Sequence, residues 1–145
     1  MDARRIAAGG LGLIAAFMAP VGVLAAFFPR SFFDDFPLGR GWIAADGGVY
    51  DEHLVRDVGG LFLALIVVTV WAIWRRPAAR PVAAAWLLEG VLHVTYHAGH
   101  LDAHDTIDKV GLIGSLLVIP CLAVVVLWAD WRSAGSTSTG HAGLS

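Results

Sequence analysis

Apolar residues fall into four long runs along the chain, and short polar stretches separate them. A helix that spans a membrane needs about 20 predominantly apolar residues, with a range of about 17 to 25. The first and fourth runs reach this length alone, whereas the second needs a start near Asp51 and the third must include Glu89 and His93. The pattern therefore predicts four transmembrane helices, at about residues 6–28, 51–74, 82–100 and 107–129.

The composition agrees with a membrane protein. The chain has 145 residues, of which 57% are hydrophobic and 15% charged, and its mean hydropathy is +0.69. We expect one all-α domain over residues 1–132, an integral membrane four-helix bundle, followed by a disordered tail at 133–145 that is small and polar. A cleaved signal peptide is the alternative for the first run, but its apolar stretch is long for one. The net charge of −2 offers no basic field for nucleic acid.

Basic residues predict the orientation of these helices. They precede the first helix, fill the linker between the second and third, and follow the fourth: Arg4, Arg5, Arg75, Arg76, Arg80 and Arg132. An even number of spans places all of them on one side, and the positive-inside rule makes that side cytoplasmic. Four tryptophans lie near the same face and suit an interfacial belt: Trp71, Trp74, Trp128 and Trp131. The expected location is the cell membrane, with several passes and both termini cytoplasmic.

Four of the six histidines lie within twelve residues, downstream of Glu89: His93, His97, His100 and His104. At about 100° per residue, one continuous helix places these five side chains in a stripe about 80° wide. The predicted topology carries the stripe into the outer half of the membrane. It brings His53 and Asp57, at the start of the second helix, to the same level. Because ionisable groups are costly in a membrane, such a set is usually functional.

Imidazole and carboxylate groups at spacings of three and four suit a transition metal such as zinc, iron or copper. The proposed ligands are His53, Asp57, His93, His97 and His100, and haem b held by two histidines is a less favoured variant. The alternative is a polar core held by hydrogen bonds, in which Glu89 pairs with His93 and Arg56 with a nearby acid. His104 follows Gly99 in a loop-like stretch and is expected at the surface. The single Cys121 excludes an internal disulfide framework.

The segment between the first two helices, from Pro29 to Gly48, is rich in aromatic residues and glycine. It is predicted to lie in the membrane interface, either as a partial lid over the outer mouth of the bundle or as a plain anchor.

The stretch Leu54 to Leu65 reads LVRDVGGLFLAL, with an arginine and a glycine pair opening the second helix. In this motif, in length and in the number of spans, the chain resembles small bacterial four-helix membrane proteins of the DoxX-like kind. The resemblance implies the architecture alone and assigns no site residue.

Three functions fit these observations. The first is a metal-binding membrane protein, an enzyme for a lipid-soluble substrate if a metal-bound water serves as nucleophile. The second is a metal-free isomerase or cyclase in which Glu89 and His93 act as catalytic acid and base, with His97 beside them. The third is a non-enzymatic subunit or pH-sensing partner of a larger membrane complex. Membrane lipid is an expected partner in each case, and a homo-oligomer is a further expectation.

Overall fold

The computed structural model describes residues 2–138, with side chains at all of these positions except 76 and 134–138. All regular secondary structure in this range is α-helical. The helices are α1 (Ala3–Phe27), α2 (Pro29–Asp35), α3 (Trp42–Ala45), α4 (Glu52–Trp74), α5 (Arg76–Ala98) and α6 (Thr106–Ser138). The prediction of an all-α chain is confirmed.

Three of the helices are long and apolar enough to cross a membrane, namely Ala3–Phe27, Glu52–Trp74 and the Thr106–Ser133 part of α6. With 23 residues, α5 equals α4 in length. It is less apolar because polar side chains such as Arg80, Glu89 and His93 lie within it. Three spans therefore agree with the predicted pattern, and the span at 82–100 stays a prediction.

Local chemistry explains where several helices begin and end. The side chain of Asp2 accepts a hydrogen bond from the Arg4 amide at 3.1 Å, and that of Asp51 accepts one from the Leu54 amide at 3.1 Å. These are N-cap bonds, which satisfy amides that have no partner inside the helix. The helix α5 ends at Ala98, and Gly99 is its C-cap residue. The helix therefore does not continue to His104.

The last helix is longer than the sequence pattern predicts. It continues past residue 129 to Ser138, so residues 133–138 are helical and not part of a disordered tail. Contacts hold the first residues past 129: Arg80 pairs with Asp130 at 3.0 Å, and the Arg132 guanidinium lies 4.8 Å from the centre of the Trp128 ring. The rest of the predicted tail, 139–145, lies outside the described residues.

The long helices pack side by side around one apolar core. α1 packs against α4 and α6, and α5 packs against α6 and α4. The centre holds fully buried side chains from α1, α5 and α6, among them Ile14, Trp86 and Val126. The indole nitrogen of Trp86 donates to Thr69 Oγ1 at 2.8 Å, and this hydroxyl donates to the Leu65 carbonyl at 2.7 Å. The N–H group of the buried indole thus has a hydrogen-bond partner on α4.

The arginine–glycine motif joins α4 to the end of α1. A Cβ atom on Gly59 would overlap the Ala26 backbone nitrogen and lie 2.8 Å from the Ala25 carbonyl carbon. Arg56 Nη1 donates to the Ala26 carbonyl oxygen at 2.6 Å, while its Nε donates to Glu52 at 2.8 Å. Carbonyls in the last turn of a helix lack partners inside the helix. Arg56 and Gly59 therefore hold the start of α4 against the end of α1.

We expect Gly59→Ala to lower the free energy of unfolding by about 1–3 kcal/mol, because the added methyl group has no room against the α1 backbone. Gly60→Ala is the matched control, since a Cβ there meets nothing within 4 Å and alanine favours a helix by about 1 kcal/mol. Unfolding of the purified protein in mixed micelles, followed by circular dichroism, measures both. Equal stability of the two variants would contradict the close contact.

Candidate functional site

The segment of residues 29–48, which we call the outer segment after its predicted position, is fixed to the start of α6 by two of its side chains, which share one carboxyl group. The Trp42 indole nitrogen donates to Asp108 Oδ1 at 2.8 Å, and Arg40 Nε forms an ion pair with the same oxygen. Gly111 makes room for the Trp42 ring, which lies 3.3 Å from the place that a Cβ would take. Gly41 precedes α3 at a φ of 63°, a conformation that favours glycine.

This attachment positions Asp46, which directly follows α3. Its carboxylate meets two imidazoles: His104 Nε2 lies 2.9 Å from Oδ1, and His97 Nδ1 lies 3.3 Å from Oδ2. The three side chains are well buried, with exposed fractions of 10% for Asp46, 1% for His104 and 13% for His97. A buried carboxylate is stable only when it is paired. The two histidines provide that pairing.

His97 has unused hydrogen-bonding capacity. Its Nδ1 atom is buried and has no hydrogen-bond partner among the described residues. The approach to Asp46 at 3.3 Å has the distance of an ion pair without the geometry of a hydrogen bond. A buried polar atom left unpaired costs about 1–3 kcal/mol, so a ligand group that forms a hydrogen bond with this nitrogen would be stabilised.

A second carboxylate–imidazole pair lies one turn deeper on α5. His93 Nδ1 is 3.1 Å from Glu89 Oε1, and the His93 and His97 rings stack with their centres 4.9 Å apart. Together these side chains form a continuous polar row that we call the acid–imidazole row: Glu89, His93, His97, Asp46 and His104. Carboxylates and imidazoles lie in contact along its whole length.

The side chains of Glu89 and His93 are more exposed than their position on α5 predicts. His93 follows Trp86 by seven residues and therefore lies on the same face of α5. Trp86 is fully buried, yet the side chains of His93 and Glu89 are 39% and 27% exposed. α4 covers this face at Trp86, where Thr69 and the Phe62 ring contact the indole. This cover therefore ends between Trp86 and His93. The side chains of Glu89 and His93 are thus accessible from outside the bundle, and we call this partly exposed stretch of the α5 face the α5 opening.

The other predicted site residues lie outside the row. His100 is exposed; its Nδ1 approaches the Tyr96 carbonyl at 2.7 Å, and its ring stacks on Tyr96 at 4.2 Å. His53 and Asp57 are exposed and pair with each other at 3.2 Å. In the described part of the chain, no hydrogen bond, ion pair or ring contact joins these two to the α5 histidines. Likewise, no group of three or more His, Cys, Asp or Glu side chains within it has an arrangement that would hold a metal ion.

Two members of the row differ from expectation. His104 is expected at the surface, but its side chain is the most buried of the row because residues 99–105 turn back towards Asp46. The sequence pattern does not identify Asp46, because the segment around it is predicted only as a partial lid or a plain interfacial anchor. One signal points to it in retrospect, since a single acid follows the apolar run from Trp42 to Ala45 in the segment that connects the first two long helices.

Comparison with protein-family models, curated proteins and solved structures finds no match for this chain. The DoxX-like resemblance stays a prediction about architecture.

We expect Asp46→Asn to release the outer segment, because an uncharged amide loses the charge-assisted contacts to His97 and His104, worth about 1.5–3 kcal/mol for a bond to a charged group. Hydrogen–deuterium exchange at residues 42–50 should become about ten-fold faster or more. Asp102→Asn, at an exposed position without a side-chain partner in the described chain, is the control. Unchanged exchange in Asp46→Asn would mean that Arg40 and Trp42 alone hold the segment.

Proposed function

We propose that this chain is a four-helix protein of the cell membrane with both termini cytoplasmic, and that the acid–imidazole row performs acid–base chemistry on a lipid-soluble molecule. The single observation that carries the proposal is the pair Glu89–His93, which lies in contact with the buried His97 and is partly exposed, with 27% and 39% of the two side chains accessible. The arginines and tryptophans at the opposite end support the orientation.

The row has the parts that proton transfer needs. Imidazole exchanges protons near neutral pH, and a carboxylate beside it stabilises the protonated form and fixes its orientation. Glu89 and His93 face the α5 opening and would contact the substrate, one as base and the other as acid. His97, Asp46 and His104 lie at the other end of the row, under the outer segment, and would hold the exchanged proton. This division suits an isomerase or a cyclase, in which a proton leaves one carbon and another carbon receives one.

The substrate class follows from the surroundings of the pair. Exposed apolar residues flank it on α5, including Leu88, Val91 and Leu92, so a molecule reaching the pair from the hydrocarbon region keeps its apolar part in lipid. Its reacting part must be polar or polarisable to replace water at Glu89 and His93. An unsaturated lipid with a polar head group has this character.

We expect the purified protein, in nanodiscs that contain a bacterial polar-lipid extract, to catalyse the incorporation of deuterium from D₂O into one lipid species. Glu89→Gln should lower the rate by about 10²–10⁴-fold, the usual contribution of a general acid or base, and His97→Asn should lower it too. His53→Asn, an exposed histidine on α4, is the matched control. Mass spectrometry of the extracted lipids measures the exchange, and equal exchange with wild type and Glu89→Gln would contradict the proposal.

A transition-metal site is the second candidate, and one observation favours it. Nδ1 of His93 faces Glu89 and Nδ1 of His97 faces Asp46, and metal-binding histidines usually direct one ring nitrogen to a carboxylate. In such a site, the other ring nitrogens of His93 and His97 would bind zinc, iron or copper.

Elemental analysis of the purified protein, with an absorption spectrum for haem, tests this candidate. Stoichiometric metal that is lost in His97→Ala would support it. Deuterium exchange that survives exhaustive chelation would instead favour the metal-free reaction.

A further inference from the structure

Charge is divided unequally between the two ends of the helices. The end where α1 begins and α6 ends carries six arginines and two aspartates: Arg4, Arg5, Arg75, Arg76, Arg80, Arg132, Asp2 and Asp130. The opposite end carries four basic residues and nine carboxylates: Arg30, Arg40, Arg56, Lys109, Asp34, Asp35, Asp46, Asp51, Glu52, Asp57, Asp102, Asp105 and Asp108. The formal charges are therefore +4 and −5.

Contacts bring several members of the first set together. Arg80, near the start of α5, pairs with Asp130 of α6 at 3.0 Å. A small cavity of about 20 Å³, enough for roughly one water molecule, is lined by residues from all four long helices, including Arg4, Ala72, Ala79 and Asp130. We call this end, with its arginines and tryptophans, the basic end.

Only part of this positive charge is balanced within the protein. Arg80 is neutralised by Asp130, and Arg132 lies over the Trp128 ring. The side chains of Arg4, Arg5 and Arg75 are exposed, and among the described residues none of them forms an ion pair, hydrogen bond or ring contact. Three guanidinium groups are thus free to bind an anion from outside.

The tryptophans indicate where that anion lies. Trp71, Trp74, Trp128 and Trp131 are each 46–74% exposed, and they surround the basic end at the last turn of α4 and the corresponding part of α6. Exposed tryptophan at this position is typical of the head-group region of a bilayer. A guanidinium group at this depth meets lipid phosphate, which it binds through two parallel hydrogen bonds.

We propose that the basic end binds anionic phospholipid head groups, with Arg4, Arg5 and Arg75 contacting phosphate oxygens and the four tryptophans contacting the glycerol and upper acyl region. Charge complementarity selects this occupant, since a zwitterionic head group brings a choline or ethanolamine cation that the arginines repel. The site is separate from the acid–imidazole row, at the other end of the helices, and it does not depend on the proposed reaction.

Native mass spectrometry of the full-length protein, in detergent with equimolar phosphatidylglycerol and phosphatidylcholine, tests this inference. Wild type should retain phosphatidylglycerol preferentially. In the double variant Arg5→Gln with Arg75→Gln, the preference should fall by about five-fold for each arginine removed. This corresponds to about 1 kcal/mol per basic residue at a membrane surface. The control is Arg30→Gln with Lys109→Gln, which removes two positive charges from the opposite end.

A second measurement needs no variant. Raising NaCl from about 50 to 500 mM should weaken retention of phosphatidylglycerol by wild type and leave that of phosphatidylcholine unchanged, because salt screens exposed charges. Equal retention of the two lipids at low salt would overturn the proposal. So would an equal loss of preference in the two double variants, since the basic residues would then act only through the net charge of the protein.

Discussion

The outer half of this protein depends on one buried carboxylate. Removing an ionised carboxyl group from water is costly unless charged or hydrogen-bonding partners replace the water, and Asp46 is nine-tenths buried. Its partners come from two places, His97 in the last turns of α5 and His104 in the loop that follows. Satisfying Asp46 therefore fixes three segments at once: the outer segment, the end of α5, and the connection to α6.

A second constraint comes from close packing, which joins apolar helices where few polar partners are available. Gly59 brings α4 onto the backbone of α1, and Gly90 brings α5 onto Pro120 of α6. α4 and α5 meet at Trp86, which bonds to Thr69 and stacks on Phe62. The open face at Glu89 and His93 is a consequence, because α4 remains with α1 while the outer segment holds the end of α5. Position and exposure of the ionisable pair thus follow from the same packing.

The sequence predicts the helices well because their signals are local. Apolar runs, acidic N-caps and the glycine after Ala98 each act within a few residues, so the all-α fold and three apolar spans are recognisable from the pattern. The continuation of α6 past residue 129 was not predictable in this way, since Asp130 is held by Arg80 from another helix. The Glu89–His93 contact, by contrast, follows from helical spacing. The role of Asp46 depends on its contact with His104, which lies 58 positions away in the sequence.

The pairing of Asp46 with His104 is the central claim, and a double-mutant cycle tests it most directly. Asp46→Asn, His104→Gln and the double variant are compared with wild type by the free energy of unfolding in mixed micelles. We expect the two substitutions to be non-additive by about 1 kcal/mol or more, as for residues in direct contact within one hydrogen-bonded network. Additive effects within about 0.3–0.5 kcal/mol would contradict the pairing and, with it, this arrangement of the outer half.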